Sequence, residues 1–221
     1  MILLRFGSLD STQSFLRRHP ELGSCGVLAD AQSEGRGRWG NRWESCPGAG
    51  LYLSAAMPDP GLPPGVAMQR AMLHVLACLG SPLLGLKWPN DLVAWKDGRM
   101  VKLGGIIGEL DGGRLALGLG VNLSAAPELE AASLAPASLV ALGLPVPDPE
   151  ALALRILDAW AGLPQAPEPA FRWPSNGDAV RWSGGQGVVL GWEEDGRLRL
   201  ANQEGVVRLA TGEVAGLRAE G

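Results

Sequence analysis

Residues 84–123 read LGLKWPNDLVAWKDGRMVKLGGIIGELDGGRLALGLGVNL. The runs LGLKWPNDLVAW, KLGGIIGEL and RLALGLGVNL are short and apolar, and Asp-Gly or Asp-Gly-Gly separates them, the sequences that turn one strand back along its neighbour. The pattern predicts adjacent antiparallel strands at the centre of a sheet. Glycines within GLGVNL allow something flat to approach the backbone closely.

The remaining elements follow outward from this centre. Upstream, PPGVAMQRAMLHVLACLG (63–80) spaces Val66, Leu73 and Leu76 as a helix does, and Gly80 ends it. LYLSAAM (51–57) and CGVLADAQ (25–32) read as strands joined by a Gly/Arg-rich loop. STQSFLRRHPEL (11–22) predicts a helix capped by Ser or Thr and ended before Pro20. Downstream, DPEALALRILDAW (148–160) predicts a second long helix with Asp148 as cap and Pro149 at its first position. GLPQAPEPAFRWP (162–174) is too rich in proline to propagate regular structure and is expected to be a linker, with a boundary near residue 176. Beyond it, short strands punctuated by SGG, EDG and QEG have the pattern of a small β-barrel.

Composition sets the frame for function. A chain of 221 residues, 46% hydrophobic and 19% charged, is long enough for one core or one core plus a small module, and it is too apolar to be mainly disordered. The formal charge of −4 argues against a protein that coats nucleic acid through its global field, so any anion binding is local. Lysine is scarce: Lys87, Lys96 and Lys102 stand against sixteen arginines, so a lysine inside a motif is poor surface filler. Cys25, Cys46 and Cys78 are odd in number and lack metal-ligand spacing, which fits a reduced cytoplasm. The N-terminal MILLRFGSLDST has too short an apolar run for a signal peptide, and no segment approaches the ~18 apolar residues of a membrane span.

The chemistry-bearing residues fall in four places. EGRGRWGNRW (34–43) carries three arginines and three glycines in ten positions. Flexible backbone N–H groups and planar guanidinium forks suit an anion cradle, although a solvated loop or an RNA-binding patch has the same composition. In KWPNDLV (87–93), the stiff Trp88 and Pro89 precede Asn90 and Asp91 as if to present them at a fixed angle; a plain turn reads the same way. Lys102 lies on a strand, where an ammonium needs either a compensating anion or an exposed strand end along which to snorkel. GLGVNL adds Asn122 to its two glycines. No Ser-His-Asp or Cys-His set is evident, and His19 and His74 fall in helix-like segments.

Taken in order, GRGRxGxxW, KWPND, KxxGII and GLGVN resemble the biotin protein ligases from about Ser11 to the C-terminus. STQ at 11–13 resembles that family's Ser-Thr-Asn, with Gln13 in place of the usual Asn, and Asn41 stands where the family more often has Arg or Lys. The resemblance implies an α+β fold of class II synthetase type: a mixed, largely antiparallel sheet with helices over residues 1–175, then an SH3-like barrel over 176–221. It implies the form without an N-terminal DNA-binding domain, and so no DNA partner. It also implies a two-step ligation, in which biotin and ATP give biotinyl-AMP and a lysine of the biotin carboxyl carrier protein of acetyl-CoA carboxylase then takes the biotinyl group.

By the same resemblance Ser11, Thr12, Gln13 and Gln32 recognise the ureido ring, and Gly35, Arg36, Gly37 and Arg38 close over biotin and adenylate. Gly105 and Gly120 line the biotin cavity, Trp43 is an apolar wall, and Asn90 and Asn122 face the nucleotide with Arg36, Arg38, Trp43 and Lys102. Arg38 and Lys102 are the expected catalytic cations. Asp91 is open to two roles, holding Mg²⁺ directly or through water, or guiding the acceptor amine. Magnesium is expected because ATP phosphates need it. A cytoplasmic enzyme that forms a homodimer through sheet edges is implied. Lipoate ligases share the fold, but their Arg-Arg, Ser-Gly-Gly-Gly and His-Asp loop pattern is not seen here. An RNA-binding module is disfavoured by the negative charge.

Overall fold

A computed structural model of the chain describes residues 1–129, 132–211 and 217–219. The quoted segment folds into four antiparallel strands rather than three, because Trp88, Pro89 and Asn90 turn the first run back on itself. In chain order the first elements are β1 (Ile2–Phe6), α1 (Thr12–Arg18), β2 (Cys25–Ala29), β3 (Gly50–Pro58) and α2 (Pro64–Leu79). Then come β4 (Leu84–Lys87), β5 (Asp91–Lys96), β6 (Arg99–Asp111), β7 (Arg114–Asn122), β8 (Ala135–Pro136) and α3 (Pro149–Ala159). The chain continues with β9 (Arg172–Trp173), β10 (Ala179–Trp182), β11 (Gly185–Trp192), β12 (Leu198–Asn202), β13 (Gly205–Leu209) and β14 (Arg218–Ala219).

The first nine strands form one sheet in the order β1-β2-β3-β7-β6-β5-β4-β9, with β8 alongside β6. Pairing is parallel for β1–β2, β4–β9 and β6–β8 and antiparallel elsewhere, which gives the mixed, largely antiparallel α+β fold expected. Three strands went unread in the sequence. β1 is a five-residue run before the first helix, β8 is a two-residue strand beside β6, and β9 ends the proline-rich stretch, which therefore joins the sheet instead of serving wholly as linker.

Alternation along β3 and β7 sorts the two faces. Leu51, Leu53, Ala55 and Met57, with Leu115, Leu117, Leu119 and Val121, face a core shared with Met72 and Val75 of α2, Ile156 of α3 and Trp160 just after it. The other face is partly covered by α1, whose Leu16 packs with Cys25, Val27 and Ala56. Local signals hold the helices. Ser11 Oγ accepts from Ser14 N at α1, and Asp148 Oδ1 accepts from Ala151 N at 2.8 Å at α3. Gly80 closes α2 in the left-handed conformation, its N–H donating to the Leu76 carbonyl.

β10–β14 form a second, antiparallel sheet in the order β13-β12-β11-β10-β14. Its core is Val180, Val189, Leu198, Leu200, Leu209 and Leu217, into which the fully buried Trp88 of the β4–β5 turn inserts. Trp88 Nε1 and Gln69 Nε2 both donate to the Gly196 carbonyl, at 3.1 and 2.8 Å. β13 and β14 do not pair among the described residues, so these strands make an open sheet.

Candidate functional site

The face of the sheet beyond α1 holds a cavity of about 240 Å³. Its floor is the β6–β7 pair, in which Gly105 lies opposite Gly120 and Ile107 opposite Gly118. Side chains are missing here for a steric reason: a Cβ on Gly120 would lie 2.5 Å from the Trp43 ring, and one on Gly118 would lie 2.9 Å from Gln13 Oε1. Lys102 reaches the same face through a break in the alternation. Lys102 pairs with Val93 and Gly104 with Leu92, so Leu103 is an extra residue that resets the parity and sets Lys102, Gly105 and Ile107 on one side.

One region of the cavity is polar and neutral. Gln32 Oε1 accepts from Thr12 N at 2.8 Å and from Thr12 Oγ1 at 3.0 Å, and Thr12 Oγ1 lies 2.8 Å from Ser54 Oγ. Gln13 Nε2 donates to the Ala116 carbonyl at 3.3 Å, while Gln13 Oε1 and the indole N–H of Trp43 are buried without a partner. Orphaned buried polar atoms are rare in folded proteins, and here they sit at a cavity wall, where a polar ligand would satisfy them.

The other region is charged. Residues 35–43 form a small hairpin in which Gly37 N donates to the Asn41 carbonyl and Trp43 N to the Gly35 carbonyl, at 2.7 and 2.8 Å. Arg38 at its tip donates to Asn90 Oδ1 at 3.2 Å and to the Thr211 carbonyl of the C-terminal unit. Asn90 is fixed in turn, its Nδ2 donating to the Ile106 carbonyl at 2.9 Å. Lys102 does not lack an anion as its sequence position suggested: its ammonium lies 2.6 Å from Asp91 Oδ1, and Lys87 stands 3.7 Å from Asp91 Oδ2. Burial lowers the Arg38 pKa and Asp91 raises it in part. Burial likewise lowers that of Lys87, Asp91 opposes the change, and Lys102 and Arg38 add to it. One carboxylate thus faces three cations, which leaves a surplus of positive charge for an anionic ligand.

Asp91 is the only carboxylate lining this cavity, both of its oxygens face ammoniums, and no cluster of three or more metal-ligating side chains exists among the described residues. These residues do not fit a protein-built magnesium cage. Such an ion would arrive on phosphate oxygens.

Trp43 and Lys102 are shared with a second cavity of about 670 Å³, lined also by Asn122, Leu129, Leu134 and Pro136. Asn122 donates through Nδ2 to the Ala137 carbonyl at 3.1 Å, and its Oδ1 is buried without a partner. Every expected site residue except Gly35 and Asn122 lines the first cavity. Asn122 belongs to the second. Gly35 lines neither; it is buried under the hairpin, where a Cβ would lie 2.4 Å from the Trp43 carbonyl oxygen, so its role is in the hairpin's turn. Sequence reasoning missed Ser54, though it left a signal as a lone hydroxyl in the apolar run LYLSAAM; Gly118, read with Gly120 as a place of close backbone approach, lines the cavity on the same face.

With this geometry established, comparison with known proteins is decisive at the level of family. The model for the Biotin/lipoate A/B protein ligase family matches residues 8–124, more than half of the chain. The chain belongs to this family. It is 34% identical over 140 residues to a biotin–[acetyl-CoA-carboxylase] ligase of Mycobacterium tuberculosis, covering 59% of this chain and 50% of that protein. It is 36% identical over 128 residues to the bifunctional ligase/repressor BirA of Escherichia coli, covering 52% of this chain and 39% of that one. The matches thus span half or less of the length of these two curated relatives. Among solved structures, a biotin protein ligase from Aquifex aeolicus in complex with biotin and ATP has the same fold, with a TM-score of 0.79 over 99% of both chains at 23% identity. The matched span 8–124 runs from the start of the polar region, through the hairpin and the charged group, to the end of β7.

Proposed function

We propose that the chain is an ATP-dependent biotin ligase: it activates biotin as biotinyl-5′-AMP and transfers the biotinyl group to a lysine of a biotin carboxyl carrier protein. The observation that carries this reading is the division of one small cavity into a neutral hydrogen-bonding region, Thr12, Gln32 and Ser54, and a cationic one, Arg38 and Lys102. A bicyclic urea with a carboxylate tail has these two parts. The names carried by the similar proteins from Mycobacterium tuberculosis and Paracoccus denitrificans point the same way.

In the first step a biotin carboxylate oxygen attacks the α-phosphorus of ATP, the bond to the bridging oxygen breaks, and pyrophosphate leaves with that electron pair. Two anions approach and charge grows on the α-phosphoryl oxygens. Cations fixed at that point therefore lower the barrier more than they aid ground-state binding. Arg38 and Lys102 supply them. Trp43 walls the biotin, and the second cavity, with Asn122 and the shared Trp43 and Lys102, takes the nucleotide. Asn90 acts at the nucleotide side by orienting Arg38. In the second step the acceptor amine attacks the acyl carbon and AMP leaves; Asp91, at the start of β5, guides that amine. Magnesium would be held by the nucleotide's own phosphates rather than by a protein site.

We further assign residues 1–175 as the catalytic unit and 176–221 as an SH3-like barrel that steadies the hairpin through the contact between Arg38 and Thr211. The setting is cytoplasmic. No helix among the described residues is long and apolar enough to cross a membrane. A homodimer through sheet edges is part of this reading, since β1 pairs on one side only and Ile2 is 71% exposed.

The test is exchange of pyrophosphate into ATP with biotin and lipoate offered in separate reactions at equal concentration. Biotin is expected to drive exchange and lipoate not to. Exchange driven by lipoate alone would move the chain to the other branch of its family, and salt-sensitive RNA binding with no response to either acid would dismiss both. A second expectation concerns the hairpin, which shields a reactive mixed anhydride from water. Arg38→Gly should still form adenylate but release it early, raising biotin labelling of bystander lysines several-fold in a mixed-protein assay. Equal adenylate retention by variant and parent would contradict the shielding role.

A further inference from the structure

Lys87 has no part in the steps derived above, yet among the described residues it is the only buried Lys, Arg, Asp or Glu. Among the described residues its ammonium has one carboxylate in reach, Asp91 Oδ2 at 3.7 Å, too long for a hydrogen bond, and it lies over the face of Trp173, 5.3 Å from the ring centre. Lys102 holds the other oxygen of the same carboxylate at 2.6 Å. The two lysines thus bracket Asp91 unequally. Lys102 is the close partner and Lys87 stands in reserve. The hairpin register sets the reserve, because Lys87 ends β4 directly opposite Asp91 at the start of β5, and β9 brings Trp173 alongside Lys87.

The remaining charges around Lys87 favour its facing Asp91. Lys102 and Arg38 lie on the cavity side, and Arg99 and Arg218 line a separate cavity behind Lys87 together with Trp95 and Trp173. These four are cations, so among the described residues Asp91 is the one anion available to it there.

This arrangement bears on a difficulty in the proposed reaction. Lys102 must turn from Asp91 toward the phosphate, and the Asp91 side chain, 15% exposed, would then be left without its partner in a poorly solvated place. Stranding one member of a buried pair is costly. We propose that Lys87 is a positioning residue that takes over as the counter-ion of Asp91 when Lys102 engages the acyl phosphate. The inference rests on the adenylate-forming reading above. It explains why a second lysine is enclosed at this spot with no close anionic partner of its own among the described residues.

The test is a mutant cycle on the full chain, read first by the affinity of a non-hydrolysable biotinyl-adenylate analogue. Lys87→Met should weaken binding by roughly tenfold or more, because Lys102 can leave Asp91 only by stranding it. Adding Asp91→Asn should restore most of that loss, and Lys87→Arg should bind nearly as the parent does. A merely structural lysine, packing against Trp173, would give equal loss with and without Asp91→Asn. That result, or parent-like binding by Lys87→Met, would overturn the proposal.

If the parent does not bind the analogue, the ligase reading itself fails, and the counter-ion claim is decided without ligand by urea unfolding. Lys87→Met combined with Lys102→Met should lower the midpoint by more than the sum of the single variants, and Asp91→Asn should recover the excess. Additive midpoints would sink it. A variant that does not fold at all is replaced by Lys87→Gln in the same cycle.

Discussion

Lys102→Ala is expected to lose about 10²–10³-fold of the biotin-dependent exchange of pyrophosphate into ATP, equivalent to ~2.7–4 kcal/mol of transition-state stabilisation. The expectation follows from where the bulge at Leu103 puts the side chain. Lys102 shares one face with Gly105 and Ile107 and stands within 5.8 Å of the Trp43 ring centre, between the two cavities. Its loss should leave the fold intact, because Lys87 still faces Asp91 and the Lys102 side chain is about one third exposed. A urea midpoint near that of the parent, measured beside the exchange rate, separates loss of chemistry from loss of structure. Retention of most of the rate would remove Lys102 from the catalytic set.

The largest expected loss of stability comes from Trp88→Ala, at about 3–5 kcal/mol. Trp88 is fully buried, packs in the core of the second sheet although it belongs to the first, and donates to the Gly196 carbonyl at 3.1 Å. Truncation opens a cavity between the two sheets and leaves that carbonyl with Gln69 alone. The damage should reach the site, since Trp88 lies two residues from Asn90 and three from Asp91. Trp88→Phe, which keeps most of the volume and removes only the donor, should cost about 1 kcal/mol. Unfolding of Trp88→Ala within about 1 kcal/mol of the parent would show that the two sheets are held together elsewhere.

Much of this was legible in the sequence, and the parts that were not share a cause. The turns at Asp97-Gly98 and Gly112-Gly113, the cap at Asp148 and the stop at Gly80 are local signals, written within a few residues, and the elements they bound are found. β1 and β9 are short edge strands defined by partners 23 and 86 residues away, Cys25 for Ile2 and Leu86 for Arg172, so nothing local marks them. The same limit applied at the site. Four motifs in order were enough to name Arg38, Asn90, Asp91 and Lys102 together. The pairing of Lys102 with Asp91, the reserve position of Lys87 and the placement of Gly35 outside both cavities depend on strand register and on one inserted residue at Leu103. The barrel expected of the C-terminal unit rests on turn spacing and on the family resemblance, and the described residues give five strands in an open order.

The central claim is that Arg38 and Lys102, carried by separate segments, neutralise an acyl phosphate in one enclosed cavity. A crystal structure of the chain grown with biotin and ATP tests it most directly. The account predicts the α-phosphate within hydrogen-bond distance of both side chains and the ureido ring against Thr12 and Gln32. A phosphate seated elsewhere, with either side chain turned from it, would contradict the account.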